Sequence, residues 1–196
     1  MLSVKTLIVV VIALAQSAGG FALTDADGRM HTAAEWKESR AVVLLFIGAE
    51  CPISNRYAPE IERLAADFGA RRVAFYAVHS DPDLSAAAAR RHAQEYGLKM
   101  PALLDPAQVL AGRLGVTLTP TAVVLEPSGA ARYRGRIDDR YLDFGKYRLA
   151  DVKPDLRRAL EAVLDGKPVT EPVTKSIGCI LPPPGKEKGS HVHPPR

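Results

Sequence analysis

Cysteine is scarce: 196 residues hold two, Cys51 and Cys179. That is too few for the dense disulfide scaffold of a small secreted domain, so each has to be weighed individually. Aromatic residues make up 6% of the chain, with a single tryptophan. No block of Lys and Arg is present, and a formal charge of +4 spread along the chain gives no footprint for nucleic acid. No apolar run reaches the roughly 20 residues that a membrane span requires. What remains is an ordinary globular composition, 47% hydrophobic and 24% charged. It excludes a mainly disordered chain, a collagen-like repeat and a multi-span membrane protein, and it suffices for one core without metal or disulfide staples.

The first residues read as an address. Lys5 is followed by an apolar stretch from Leu7 to Ala15 and then by small residues at Ser17, Ala18, Gly19, Gly20 and Ala22. This is the three-part pattern of a secretory signal over residues 1–22, with cleavage expected between Ala15 and Ala22. An uncleaved N-terminal anchor is the alternative. The mature protein is then periplasmic or secreted, with no stable membrane insertion after cleavage, in a compartment where disulfides persist. One domain is expected over 23–168, and a C-terminal extension carrying Cys179 over 169–196.

Within that domain, strands and helices alternate. Thr32 and Glu35 have the spacing of a capping box for a short helix through Trp36. Ala41 to Ile47 is a continuous apolar run, as in a strand buried on both faces. Tyr57, Ile61, Leu64 and Phe68 recur at helical spacing from Ile53 to Phe68, and Pro59 is expected to kink that helix. Val73 to Val78 reads as a second buried strand. Ser80, Asp81 and Pro82 would start a helix that stops at Gly97. Leu103 and Leu104 suit a short strand, and Asp105 and Pro106 would cap a helix ending at Gly115. Thr121 to Leu125 and Arg132 to Arg136 flank the turn Pro127-Ser128-Gly129 as an antiparallel hairpin. Pro154 opens a last helix with Leu156, Leu160, Val163 and Leu164 on one face and Gly166 past its end. The proline-rich tail after Leu181 reads as disordered. The fold class is α/β, a central mixed β-sheet flanked by helices on both faces.

Cys51 has the most chemistry in its placement. It follows a strand and immediately precedes a helix, where backbone N–H groups and the helix dipole favour a thiolate, although Glu50 beside it pushes the other way. A small buried hydrophobe is the competing role for such a cysteine.

Cys51-Pro52-Ile53-Ser54, with Pro59 eight residues after the cysteine, is similar to the active-site helix of the thioredoxin superfamily. Gly115-Val116-Thr117-Leu118-Thr119-Pro120-Thr121, just before a strand, resembles its cis-proline loop. The opening Phe21 to Gly28 resembles the first strand and turn of the redoxin branch, which holds the peroxiredoxins and other AhpC/TSA-type exported thiol proteins. This resemblance runs from about Phe21 to Gly166 and implies a thioredoxin-like fold. It makes Cys51 the attacking thiol and Pro120 a cis-proline that presents the Thr119 backbone to an extended substrate strand, with Pro52 and Ser54 beside the substrate. It departs from the pattern in two places. Ser54 stands where thioredoxins carry their second cysteine, so no four-residue redox ring can close. Leu44 and Gly48 stand where strict peroxiredoxins carry a proline and a threonine, and no arginine clearly takes the role of polarising a peroxide.

A subgroup of exported redoxins resembles this chain in the segment Cys51 to Tyr57, in Gly135 to Asp139, and in Gly178-Cys179 near the end. Three roles for Cys179 stay open: resolving a sulfenic acid or mixed disulfide at Cys51, closing a structural disulfide, or none. Among the histidines, His31 and His92 are expected on exposed elements, His79 at the Cys51 end of the sheet, and His191 and His193 in the solvated tail. Tyr141, Phe144 and Tyr147 suit a surface loop packed on the sheet, and Asp138 and Asp139 suit turn positions. The function expected is that of an extracytoplasmic thiol oxidoreductase acting on a peroxide or a protein disulfide or thiol, recharged by an external thiol reductant, with no organic cofactor and no metal assigned. The alternatives are a Sco-like copper-delivery module, using Cys51, Cys179 and His79 with Asn55 where that type has a second cysteine, and a redox-inactive domain closed by a structural Cys51–Cys179 bond.

Overall fold

The structure is a computed structural model that describes residues 20–143 and 145–184. The leader-like residues 1–19, Phe144, and the tail from 185 with His191 and His193 lie outside the described residues. Among those described, no helix is long and apolar enough to cross a membrane.

Strands β1 (Ala22–Thr24) and β2 (Met30–Thr32) form an antiparallel hairpin that leads into a 3-10 helix, Ala33–Glu38. The capping box is not made: Thr32 is extended and its side chain caps nothing. Glu35 has better partners, His31 at 2.9 Å and Arg29 at 3.3 Å. Phe21, expected within the leader, is buried and stacks on Trp36 at 4.7 Å between ring centroids.

The central sheet has five strands in the order β5-β4-β3-β7-β8. Its middle strand, β3 (Ala41–Phe46), is buried at every position. The alternation of a strand sends Val43 and Leu45 to one face and Val42, Leu44 and Phe46 to the other. β4 (Val73–His79) lies parallel to β3, and β5 (Ala102–Leu104) parallel to β4. β7 (Thr121–Leu125) runs antiparallel to β3 and forms the expected hairpin with β8 (Ala131–Gly135).

One face is covered by α1 (Pro52–Gly69) and α4 (Asp155–Leu164), through Ile53, Tyr57, Ile61, Leu64, Phe68, Leu156 and Leu160. The other packs against Phe21, Trp36 and the short α3 (Val109–Arg113). Pro59 lies inside α1, as expected. α2 (Ala86–Tyr96) starts later than Ser80: Asp81 turns back onto the Asp83 N–H, and Ser85 supplies the N-cap by accepting from the Ala88 N–H at 3.2 Å. Asp105 does cap the next helix, accepting from the N–H groups of Leu110 and Ala111. β6 (Leu118–Thr119) precedes β7, a small ladder joins β9 (Tyr141–Asp143) to β10 (Lys146–Tyr147), and β11 (Cys179–Ile180) closes the described chain.

Several polar residues expected at the surface are buried. Asp138 accepts from the Tyr57 hydroxyl and from the Arg140 N–H, and Asp139 accepts from the Lys153 N–H. They tie α1 and the segment before α4 together rather than merely forming a turn. His92 is buried against Asn55 and Tyr96.

His31, far from being exposed, is 2% accessible, with Asp25 at 2.8 Å from one ring nitrogen and Glu35 at 2.9 Å from the other. Burial alone would raise both carboxyl pKa values. Hydrogen bonds from His31, from the Arg29 and Asp27 N–H groups at Asp25, and from the Arg29 guanidinium at Glu35 outweigh it and hold both below their ordinary values. Carboxyls depressed by folding add stability above their unfolded pKa and lose it as pH falls through the folded one. The midpoint of urea unfolding is therefore expected to hold near neutrality and drop below about pH 4. His31→Gln should be less stable at pH 7 and show a shallower acid limb. An acid limb of unchanged depth in that variant would contradict this account.

Candidate active site

β3 ends at Phe46, and the chain turns so that the Cys51 N–H donates to the Gly48 carbonyl at 3.1 Å. Cys51 is then the N-cap of α1, with Pro52 in the first turn, where the missing proline N–H costs nothing. The cysteine is 3% exposed, and its Sγ donates to the Thr119 carbonyl oxygen at 3.3 Å. The Thr119–Pro120 peptide bond is cis, as the resemblance implied. Gly48 allows this proximity: a Cβ there would stand 3.1 Å from both Cys51 Cβ and Thr119 Oγ1. Ser54 is buried, accepts from the Gly48 N–H at 3.3 Å, and turns its hydroxyl to the Cys51 sulfur.

The C-terminal segment completes the site. After α4 the chain runs along β8, with Arg134 N–H bonded to Pro172 O and Thr174 N–H to Arg134 O. β11 then pairs antiparallel with β6, placing Cys179 opposite Thr119 and Ile180 opposite Leu118. Cys179 is thereby brought against Cys51, and both are free thiols. Residues 172–181 are thus packed on the domain.

Burial by itself would raise the Cys51 pKa. The Cys179 thiol, the Ser54 hydroxyl, and the backbone N–H groups of Ser54 and Cys179 all stabilise its sulfur, and the net effect holds Cys51 below an ordinary thiol. Cys179 is pushed up to about 12, first by burial and then by Cys51 itself. The pair is therefore polarised: Cys51 is the more readily ionised thiol, and Cys179 is the one that keeps its proton. A pocket of about 160 Å³ opens next to the two sulfurs, lined among others by Gly48, Glu50, Cys51, Asp81, Thr119 and Cys179.

The other expected site residues separate. Pro52 is exposed and Pro120 buried, and neither they nor Ser54 line the pocket, whereas Thr119 does. His79 is 1% exposed and packs edge-on against His92, 5.3 Å between ring centroids. Burial, then repulsion from His92, depresses it to about 4, with the Ile47 backbone pulling slightly the other way. It does not line the pocket, so Cys51, Cys179 and His79 are not gathered as a soft metal site. Among the described residues, no three His, Cys, Asp or Glu side chains converge to hold a metal ion. No arginine among the described residues lines the pocket either. Sequence reasoning missed Gly48 and Gly178 as points of close backbone approach. It also missed Asn55, which donates to the Ala49 carbonyl at 3.0 Å and accepts from His92 at 2.9 Å, bracing the turn that carries Cys51.

A model of the AhpC/TSA family matches residues 14–134. Thiol-disulfide oxidoreductase ResA of Halalkalibacterium halodurans is 28% identical over 115 residues, which is 58% of this chain and 63% of that protein. The chain thus spans less than two thirds of that relative's length. A hypothetical protein of Sinorhizobium meliloti 1021 shares 32% identity, with a TM-score of 0.75 over 87% of this chain and 94% of that one. An uncharacterized conserved protein of Geobacillus kaustophilus shares 30% identity, with a TM-score of 0.77 over 88% and 93%.

Proposed function

Because the chain belongs to the AhpC/TSA family and has its thioredoxin-like fold, we propose that it is an extracytoplasmic thiol–disulfide oxidoreductase in which Cys51 attacks and Cys179 resolves. The observation that carries this reading is the polarised pair: a buried thiol at the start of α1, held below an ordinary thiol, with a second, protonated thiol beside it. The Cys51 thiolate attacks one sulfur of a disulfide R–S–S–R′, forming Cys51–S–S–R and releasing R′S⁻. Once Cys51 is bonded, the part of the Cys179 shift that Cys51 itself imposes is gone, and Cys179 ionises more readily than in the reduced pair. Cys179 then attacks the Cys51 sulfur and expels RS⁻, which takes up the Cys179 proton. Two cysteine thiols are oxidised to a disulfide and one substrate disulfide is reduced to two thiols. An external thiol couple restores the pair. The ResA relative supports the reaction class, and the leader pattern of residues 1–22 supports export. The packing of Phe21 on Trp36 favours cleavage before Phe21. A peroxide substrate draws no such support, since positions 44 and 48 are Leu and Gly and no arginine among the described residues lines the pocket.

The test is a redox titration. The protein is equilibrated in thiol buffers of graded potential, alkylated and weighed intact. A reversible Cys51–Cys179 disulfide with a potential above about −300 mV is expected. Two thiols that stay free at every potential, or a bond that resists reduction below that value, would overturn the catalytic pair.

A further inference from the structure

β6 is a two-residue strand, and among the described residues its partner is β11 alone. The N–H and C=O groups of such an edge are a template on which another extended chain pairs. Here the chain pairs with itself. Leu181 N–H donates to Thr117 O at 2.9 Å, the Ser176 and Thr121 hydroxyls are 2.8 Å apart, and Thr119 Oγ1 lies 3.5 Å from Cys179 O. Gly178 passes so close that a Cβ there would stand 1.9 Å from the Thr119 carbonyl oxygen and 3.0 Å from Pro120 Cδ. That same carbonyl accepts from Cys51 Sγ. The segment 176–181 therefore covers the backbone edge from which an extended strand would present a sulfur to Cys51. What stays open is the pocket of about 160 Å³, smaller than the roughly 300–1,000 Å³ of sites for drug-sized ligands. Among the described residues, its acidic side chains are Glu50 and Asp81, and no basic one lines it.

Resting on the reading of Cys51 as nucleophile, we propose that the segment 176–181 sets the substrate class: it occupies the strand-docking edge, excludes polypeptide disulfides and leaves Cys51 to low-molecular-weight disulfides, cationic ones foremost. Glu50 and Asp81 attract a cationic disulfide such as cystamine and repel the anionic glutathione disulfide. In the first step the Cys51 thiolate forms Cys51–S–S–R with one half of the disulfide and releases the other half as thiolate. The electron pair that made the S–S bond leaves with it.

The experiment reads that step alone, in a Cys179→Ser background, as growth of the mixed disulfide by intact mass. The probes are cystamine, glutathione disulfide and the disulfide-linked dimer of a short extended cysteine peptide. Each rate is divided by the rate of the same disulfide with free N-acetylcysteine. The peptide is expected to react at least about ten-fold more slowly than cystamine, and Gly178→Ala, whose Cβ unseats the segment, to narrow that ratio about ten-fold. Leu181→Pro, which removes the N–H bonded to Thr117 and a side chain packed at the margin of the core, should do the same. Equal peptide and cystamine rates with the segment in place, or a ratio that neither unseating variant moves, would overturn the proposal. Glutathione disulfide matching cystamine at low salt would overturn its charge preference. Failure of every disulfide to react in every variant would instead overturn the thiol-exchange function itself.

Discussion

Replacing Cys51 by serine is expected to lower the rate of disulfide exchange by at least about 10³-fold, to the level of an enzyme without its nucleophile. Serine keeps the size of the side chain and can still donate to the Thr119 carbonyl, so the site should stay folded. It cannot supply a thiolate, and the thiolate is the attacking species. Cys179→Ser should behave differently: attack proceeds, the mixed disulfide at Cys51 accumulates, and turnover stops there. The pH dependence adds a second reading. Because Cys51 is held below an ordinary thiol, the attack rate should rise with pH at a midpoint below that of a free cysteine. Ser54→Ala, which removes one donor to the sulfur, should move that midpoint upward. Stopped-flow kinetics with cystamine measures all four proteins. A Cys51→Ser rate within about ten-fold of the wild type would place the chemistry elsewhere.

The largest effect on stability is expected at Trp36. Its ring is wholly buried, stacked on Phe21 and enclosed by the Val42, Leu44 and Phe46 face of β3. Trp36→Ala removes the largest side chain of that core layer and leaves a cavity that the β-sheet cannot collapse to fill. The cost should be about 3–5 kcal/mol, a fall in Tm of roughly 6–20 °C for a chain of this size. Trp36→Phe is the instructive control. The indole Nε1–H is buried without a well-formed hydrogen bond, so losing it relieves an unsatisfied donor while much of the ring packing survives. That variant should cost less than about 1.5 kcal/mol. Urea unfolding followed by circular dichroism separates the two, and similar costs for both would show that the polar group, not the ring volume, matters.

The elements legible from sequence were those whose pattern is local. β3, β4 and β7 are buried on both faces and write that as unbroken apolar runs, while α1 and α4 repeat their core residues every three or four positions. The buried histidines were not legible. His31 owes its burial to Asp25 and Glu35, and His92 to Asn55 on another helix, so composition alone assigned both to the surface. Asp138 looks like a turn residue along the chain because its partner, the Tyr57 hydroxyl, comes from α1, 81 positions away. α2 starts later than its local pattern suggests because Asp81 closes a turn of its own before Ser85 caps the helix. β11 was invisible for a simpler reason: a two-residue pairing has no periodicity to detect.

The same division holds at the site. Which thiol would be the nucleophile could be decided along the chain, since a strand, a turn and a helix start within a dozen residues place Cys51 among N–H donors wherever that unit folds. What faces that thiol could not. Cys179 meets it across 128 positions, through the β6–β11 pairing, the cis Thr119–Pro120 bond and the passage that Gly178 allows. Backbone propensity acts over a few residues, whereas the partner of a buried sulfur depends on the path of the whole chain between them.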